Sequence, residues 1–278
     1  MIINVYKESN MTSHDVVNIL TKHFHTKKIG HTGTLDPIAT GVLICCLDSS
    51  TKLVNILQSI TKEYIAEIKL GIKTDTGDIT GNVIDTKTYN VNQELITSTL
   101  NSFLGESIQE VPIYSAIKIN GKKLYEYARK NEQVELPKRT INISQIELIS
   151  YHDDLIKFKV TVSKGTYIRS LINDIANKLN TVGTMVSLCR TKQGIFDIKD
   201  SNSLNDILKD NYKTISYDEI FNDYYKVDMT DDEYFKVKNG QHMDNIYNQQ
   251  EVLFMYHNKY IALYELKDNT LKIKLMFN

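Results

Sequence analysis

Between residues 30 and 41 the chain gathers its conformationally special residues into one loop, Gly30-His31-Thr32-Gly33-Thr34-Leu35-Asp36-Pro37-Ile38-Ala39-Thr40-Gly41. Three of the 12 glycines and one of the three prolines of the 278-residue chain fall there. Glycine opens backbone angles and close approaches that other residues forbid, and proline fixes φ directly after Asp36. The result is a rigid, shaped loop carrying one carboxylate, one imidazole and three threonine hydroxyls. Such a loop suits an acid aimed into a pocket. An isolated Asp-Pro, by contrast, more often caps the segment that follows it.

A chain of this length has room for one large domain and a small appendage. No run approaches the roughly 18 uninterrupted apolar residues of a membrane span, and Met1-Ile2-Ile3-Asn4 starts no signal peptide. The expectation is a soluble, cytoplasmic protein without membrane contact. Cys45, Cys46 and Cys189 are odd in number and two are adjacent, so they read as buried small hydrophobes rather than a zinc or disulfide framework. His23-Phe24-His25 lacks the i, i+4 spacing of a helical metal pair, and no metal site is expected.

A formal charge of −1 argues against a nucleic-acid partner, but the average conceals a division. Residues 201–250 carry ten acids and five bases, which leaves the remainder at +4. Basic residues there come in groups: Lys22, Lys27 and Lys28; Lys118, Lys122, Lys123, Arg129 and Lys130; Lys138 and Arg139; Arg190 and Lys192. Each group alone fits a solvated face. Interleaved with Tyr114, Tyr125, Tyr127 and Tyr167, they also fit a surface for unpaired bases.

Periodicity supplies the elements. Ser13 precedes a stripe of Val16, Leu20 and Phe24, which predicts a capped helix of about three turns. Gly41-Val42-Leu43-Ile44 reads as a buried strand or the start of a helix. Glu63–Leu70 alternates, with Tyr64, Ala66, Ile68 and Leu70 on one face. A polar turn at 74–81 precedes a strand at 82–86. Asn92 caps a helix closed by Gly105. Further strands are expected near 115–119, 141–149 and 156–162, then a helix over 167–179. This mixture without strict β-α-β repetition predicts an α+β fold on a mixed or antiparallel sheet flanked by helices. From about Lys226 the texture changes to a short helix and three strands, a separate β-rich module. The predicted division is 1–225 and 226–278.

The loop, Lys62-Glu63-Tyr64, Thr74-Asp75-Thr76-Gly77-Asp78, the stretch from Val111-Pro112 to Ala128-Arg129, and Ser163-Lys164-Gly165-Thr166-Tyr167-Ile168-Arg169 follow one another in order. Together they resemble the motif series of the TruB family of tRNA pseudouridine synthases, over roughly residues 28–192. The resemblance implies a pseudouridine-synthase-like domain with an RNA-pinching insertion at about 111–137, and a C-terminal module similar to a short PUA-like domain. It implies isomerisation of uridine-55 in the T arm stem-loop of tRNA by a monomer that needs no cofactor.

That chemistry accounts for the residue types. Extracting a uridine from a folded loop costs a few kcal/mol, and stacking on an aromatic ring returns about 1–3 kcal/mol. The resemblance makes Asp36 the catalytic carboxylate and sets Tyr64 against the base, although Tyr64 among Ala66 and Ile68 fits a core tyrosine as well. Burial would raise the Asp36 pKa, and the permanent cation of Arg169 is the candidate to oppose that. Also by resemblance, Tyr167 is a catalytic residue that lies under the flipped base and moves protons; among the substrate-binding residues His31 contacts the RNA, Leu188 lines the uracil pocket and Lys7 supports the site. Leu188 reads equally as a core leucine. The segment Lys7-Glu8-Ser9-Asn10-Met11 lacks the Pro and Gly usual in the family, and Asn10 is the residue able to keep the turn. A tRNA-folding chaperone without catalysis is the alternative. A P-loop NTPase is excluded because no G-K-[ST] follows Gly33.

Overall fold

The alternation at Lys62–Leu70 sets the middle of a nine-stranded sheet in the computed structural model, which describes residues 1–130 and 132–277. Every second residue of this strand is buried, from Lys62 through Tyr64, Ala66 and Ile68 to Leu70. It pairs antiparallel with Leu155–Val162 on one side and Gly183–Gln193 on the other. Lys138–His152 and Gly105–Glu110 extend one flank, and Thr40–Leu47 and Ile2–Lys7 the other. The chain runs parallel at one junction of this sheet, where Cys189 and Arg190 lie beside Thr40 and Gly41.

Helices Gln93–Asn101 and Ile168–Lys178 cover one face, burying Ile96, Leu100, Leu171 and Ile175 against Ala66, Ile68, Phe158 and Val160. Thr40–Leu47 is buried on both faces. Leu43 and Cys45 meet Val16 and Leu20 of helix Ser13–His23, while Val42 and Ile44 turn the opposite way. Burial on both sides explains its unbroken apolar run, which periodicity alone left open between strand and helix. The architecture is the α+β mixed sheet flanked by helices that the sequence predicts.

A second sheet of five strands holds Lys226–Asp228, Glu251–Tyr256, Lys259–Lys267, Thr270–Met276 and Met243–Asp244 in that spatial order. Two-residue turns at His257-Asn258 and Asp268-Asn269, all at positive φ, join its three longest strands. Its Leu253 and Leu263 share one apolar cluster with Ile2, Val42 and Ile44 of the first sheet and with Phe221, just after the short helix Tyr217–Ile220.

Several local expectations change. Thr12, not Ser13, caps the first helix, in a capping box with Asp15. Ser13 turns inward, where its Oγ accepts the Leu35 N–H at 2.9 Å. The strand expected at 115–119 shrinks to Lys118–Ile119, hairpinned to Lys122–Lys123 through Asn120-Gly121. Gly105–Glu110 is an edge strand whose polar residues conceal it. Gly183–Gln193 escaped periodicity because two register shifts, at Met185/Ser187 and Arg190/Lys192, break its alternation. Cys189 is half-buried, unlike Cys45 and Cys46.

Gly41 is where the glycine-rich loop of residues 30–41 enters the sheet. Its φ is +102°, and a Cβ there would lie 2.2 Å from the carbonyl oxygen of Arg190. Gly41→Ala should therefore destabilise the protein by at least about 2 kcal/mol, through strain plus backbone displacement. Urea unfolding would show it as a lower midpoint, and an unchanged midpoint would refute the close-approach argument.

Candidate active site

The loop before Gly41 is pinned from beneath by the segment that departs from the family pattern. Asn10 adopts φ +63°, and its N–H donates to the Pro37 carbonyl at 2.9 Å. Ser9 Oγ donates to the Ile38 carbonyl at 3.0 Å. Lys7 is fully buried, and its ammonium donates to the carbonyls of Glu8 at 2.8 Å, Met11 at 2.6 Å and Pro37 at 3.2 Å. All three N–H donors are thus used on backbone. Lys7 was expected among the substrate-binding residues; the structure places it under the loop, without solvent exposure, where it holds the residue next to Asp36.

Arg169 sits in the first turn of helix Ile168–Lys178. A cation there opposes the helix dipole, so its place is set by its partners. Nε and Nη2 grip the two carboxylate oxygens of Asp36 at 3.0 and 2.9 Å, across 133 residues of chain. Nη1 donates to the Thr76 carbonyl at 3.0 Å and Nη2 to the Tyr114 carbonyl at 2.9 Å. The Asp36 side chain keeps 27% of its surface exposed against 8% for Arg169, so the carboxylate is the open partner. Burial pushes the Asp36 pKa above its ordinary value; Arg169 opposes the shift and the nearby Asp78 adds to it.

Asp36 opens into a cavity of about 520 Å³. Tyr64, Tyr167, Leu188 and Ile168 supply its aromatic and apolar wall. Tyr167 is held through its backbone by Gln109, whose Oε1 accepts the Tyr167 N–H at 2.7 Å and whose Nε2 donates to its carbonyl at 3.1 Å. The structure therefore gathers Asp36, Tyr64, Tyr167, Arg169 and Leu188 on one cavity. His31 is not among the lining residues; its Nδ1 accepts the Gly33 N–H at 3.3 Å, and burial lowers its pKa with help from Arg190. Accepting that N–H occupies the Nδ1 lone pair, which places the proton of a neutral ring on Nε2.

Sequence reasoning missed two cations. Arg190, grouped above with Lys192 as a basic surface, is 1% exposed. It donates to the Val42 carbonyl at 2.6 Å, the Gly33 carbonyl at 3.0 Å and the Tyr64 hydroxyl at 3.5 Å. Lys62 is also buried, donates to the carbonyls of Gln58 and Ile60, and is pushed down to about 8 by burial, Arg190 and Lys164. The apolar setting of Leu188-Cys189-Arg190 was the one available signal. Tyr125, which also lines the cavity, has Arg129 and Lys123 over its ring at 5.2 and 5.3 Å, and Tyr127 has Lys122 at 4.2 Å.

An acid held by a fixed guanidinium thus opens into a cavity with aromatic walls. Residues 21–168 match the model of the family described as TruB family pseudouridylate synthase (N terminal domain). The chain belongs to this family. The tRNA pseudouridine synthase B of Clostridium tetani is 45% identical over 94% of each chain. That of Lactobacillus acidophilus is 38% identical over 99% of this chain and 97% of its own. Among solved structures, a Cbf5-Nop10-Gar1 complex aligns over all of this chain and 84% of its own, with TM-score 0.75 and 25% identity. A further likeness in fold is to an H/ACA RNP bound to a substrate RNA containing 2′-deoxyuridine, at TM-score 0.72 and 24% identity over the same shares. As a TruB-family member the chain is a pseudouridine synthase, an isomerase. The family match contains Asp36, Tyr64 and Tyr167 and stops one residue short of Arg169.

Burial brings the Lys7 ammonium down from 10.5 to about 8, with Asp36 partly offsetting the drop. Between those values the unfolded chain binds the extra proton, so folding stability rises with pH across that window. Wild type should therefore gain stability relative to Lys7→Met on going from pH 7 to pH 10. Urea unfolding of both proteins measures this, and a constant difference would contradict the buried, titrating amine.

Proposed function

We propose that this chain converts uridine-55 in the T arm stem-loop of tRNA to pseudouridine, with Asp36 as its single catalytic carboxylate. The observation that carries this reading is the two-point Asp36–Arg169 contact at the floor of the cavity. The reaction detaches a base, turns it and rejoins it through carbon, with no net change in redox state and no added atoms, so the proposed enzyme works without a cofactor. Asp36 supplies the ionised group beside the glycosidic bond, and Arg169 keeps it charged and aimed. Tyr64 takes the flipped base by stacking, Tyr167 lies under it and Leu188 borders the uracil. His31, outside the cavity lining, contacts RNA there, and Lys7 supports the loop from below.

The substrate assignment draws on the relatives named for tRNA and on the cavity's charge. Its lining holds Lys62, Arg139, Lys164, Arg169 and Arg190 against the one carboxylate of Asp36. Such an excess of cations suits a polyanion. We place the catalytic domain at 1–225, with its RNA-pinching insertion at 111–137, and a PUA-like module at 226–278, in a cytoplasmic monomer. Among the described residues no helix is long and apolar enough to cross a membrane.

Asp36→Asn should bind the T arm stem-loop nearly as well as wild type while tritium release from 5-tritiated uridine disappears; retained turnover would sink the assignment. The pH dependence has a definite sign. Turnover needs the carboxylate ionised, so it falls as pH drops through the Asp36 pKa, which burial lifts above 3.8. Arg169→Gln removes the cation that favours ionisation, so the acidic limb of kcat should move further up and the plateau should drop about a hundredfold. A limb that stays put or moves down would contradict the role given to Arg169.

A further inference from the structure

We propose that Arg139, assisted by Lys164, forms a phosphodiester-binding subsite on the Tyr167 wall of the cavity, gripping one backbone phosphate next to the flipped nucleotide. The inference rests on the RNA reading above and adds a ligand-binding residue to it. Of the five cations that line the cavity, three are already answered by the protein. Arg169 is matched by Asp36, Arg190 by two carbonyls and the Tyr64 hydroxyl, and Lys62 by the carbonyls of Gln58 and Ile60.

Arg139 is different. Among the described residues its guanidinium makes one long hydrogen bond, Nη1 to the Gly165 carbonyl at 3.3 Å, and its buried Nε has no partner. Lys164 is exposed on the same wall and has no carboxylate partner among the described residues. Yet the fold makes room for Arg139. Gly165 has φ +86°, and a Cβ there would lie 2.7 Å from Nη1, so glycine is what admits the guanidinium. The group lies 5.6 Å from the centroid of the Tyr167 ring. Beside it in the ladder, Gln109 pairs with Arg139 and clamps the Tyr167 backbone.

A planar fork whose Nη2 has no partner among the described residues, fixed beside the ring expected under the base, fits two phosphate oxygens at once through Nη1 and Nη2. Lys164 adds an unpaired charge to the same anion. A carboxylate ligand would need only one cation, whereas RNA brings a phosphate with every nucleotide it inserts.

The test is a binding scan with T arm stem-loop RNAs that each carry one uncharged methylphosphonate linkage, read against wild type, Arg139→Gln, Arg139→Lys and Lys164→Gln. For wild type, one linkage near the target uridine should weaken binding about tenfold, as for a lost hydrogen bond to a charged group. That penalty should vanish in Arg139→Gln, whose salt slope should also fall by about 0.7–0.9. Arg139→Lys should keep the salt slope but lose part of the linkage-specific penalty. Lys164→Gln, an exposed change, should lower the slope as well, and it serves as the readout if Arg139→Gln does not fold. The proposal is overturned if Arg139→Gln shows the wild-type penalty at every linkage, or if base substitutions replace linkages as its sensitive positions. A guanidinium that merely propped Tyr167 would reduce kcat alike on every RNA and leave the scan unchanged. Wild type that forms no pseudouridine in these RNAs would refute the function instead, while the scan would still read binding.

Discussion

The contact between Asp36 and Arg169 organises the rest of the site. A pair as buried as this gains little net stability, because two charges lose their hydration to make it. Its effect is geometric. One guanidinium uses four hydrogen bonds to fasten the carboxylate, the turn carrying Thr76 and the segment carrying Tyr114 to the start of helix Ile168–Lys178. Four of the five motif strings recognised in the sequence therefore converge on one side chain. Tyr64, from the fifth, is reached separately by Arg190, which also holds the Gly33 carbonyl of the loop. Two buried arginines thus set the two halves of the cavity: one orients the acid, the other orients the aromatic ring.

What could be read in advance follows from what local patterns encode. The strand Lys62–Leu70 was legible because one of its faces is buried, so its alternation survives in composition. Asn10 was legible as a left-handed residue because few others tolerate that conformation, and it adopts φ +63°. Asp36 and Arg169 were legible as partners by chemistry, one acid needing one permanent cation. Arg190 was not, because a charge can be buried on carbonyls contributed by residues some 150 positions away, which no local pattern records. Backbone acceptors such as the carbonyls of Thr76, Tyr114 and Gly165 carry no side-chain signature at all. Bulges in Gly183–Gln193 and the polar edge strand Gly105–Glu110 removed the periodic signal from two strands of the main sheet.

Net charge proved a poor guide for the same reason. A chain at −1 overall builds a cavity whose lining carries five cations and one acid, while residues 201–250 hold a net −5. Electrostatic recognition depends on potential at a surface rather than on the sum over a chain. The acidic stretch keeps the whole near neutrality and leaves the cavity positive. Lys62 on the cavity wall is lowered to about 8 chiefly by burial, with the Arg190 and Lys164 charges adding to the drop.

Strand order has a consequence for how this molecule is made. Gly183–Gln193 is inserted between Thr40–Leu47 and Lys62–Leu70, both synthesised more than a hundred residues earlier. At ribosomal speed that gap lasts on the order of ten seconds. Throughout it, the nascent chain offers two facing strand edges with no occupant, the kind of open template on which foreign strands dock. Chaperone demand during translation should therefore peak late, when most of the polypeptide has already emerged, and end abruptly once the missing strand slides in.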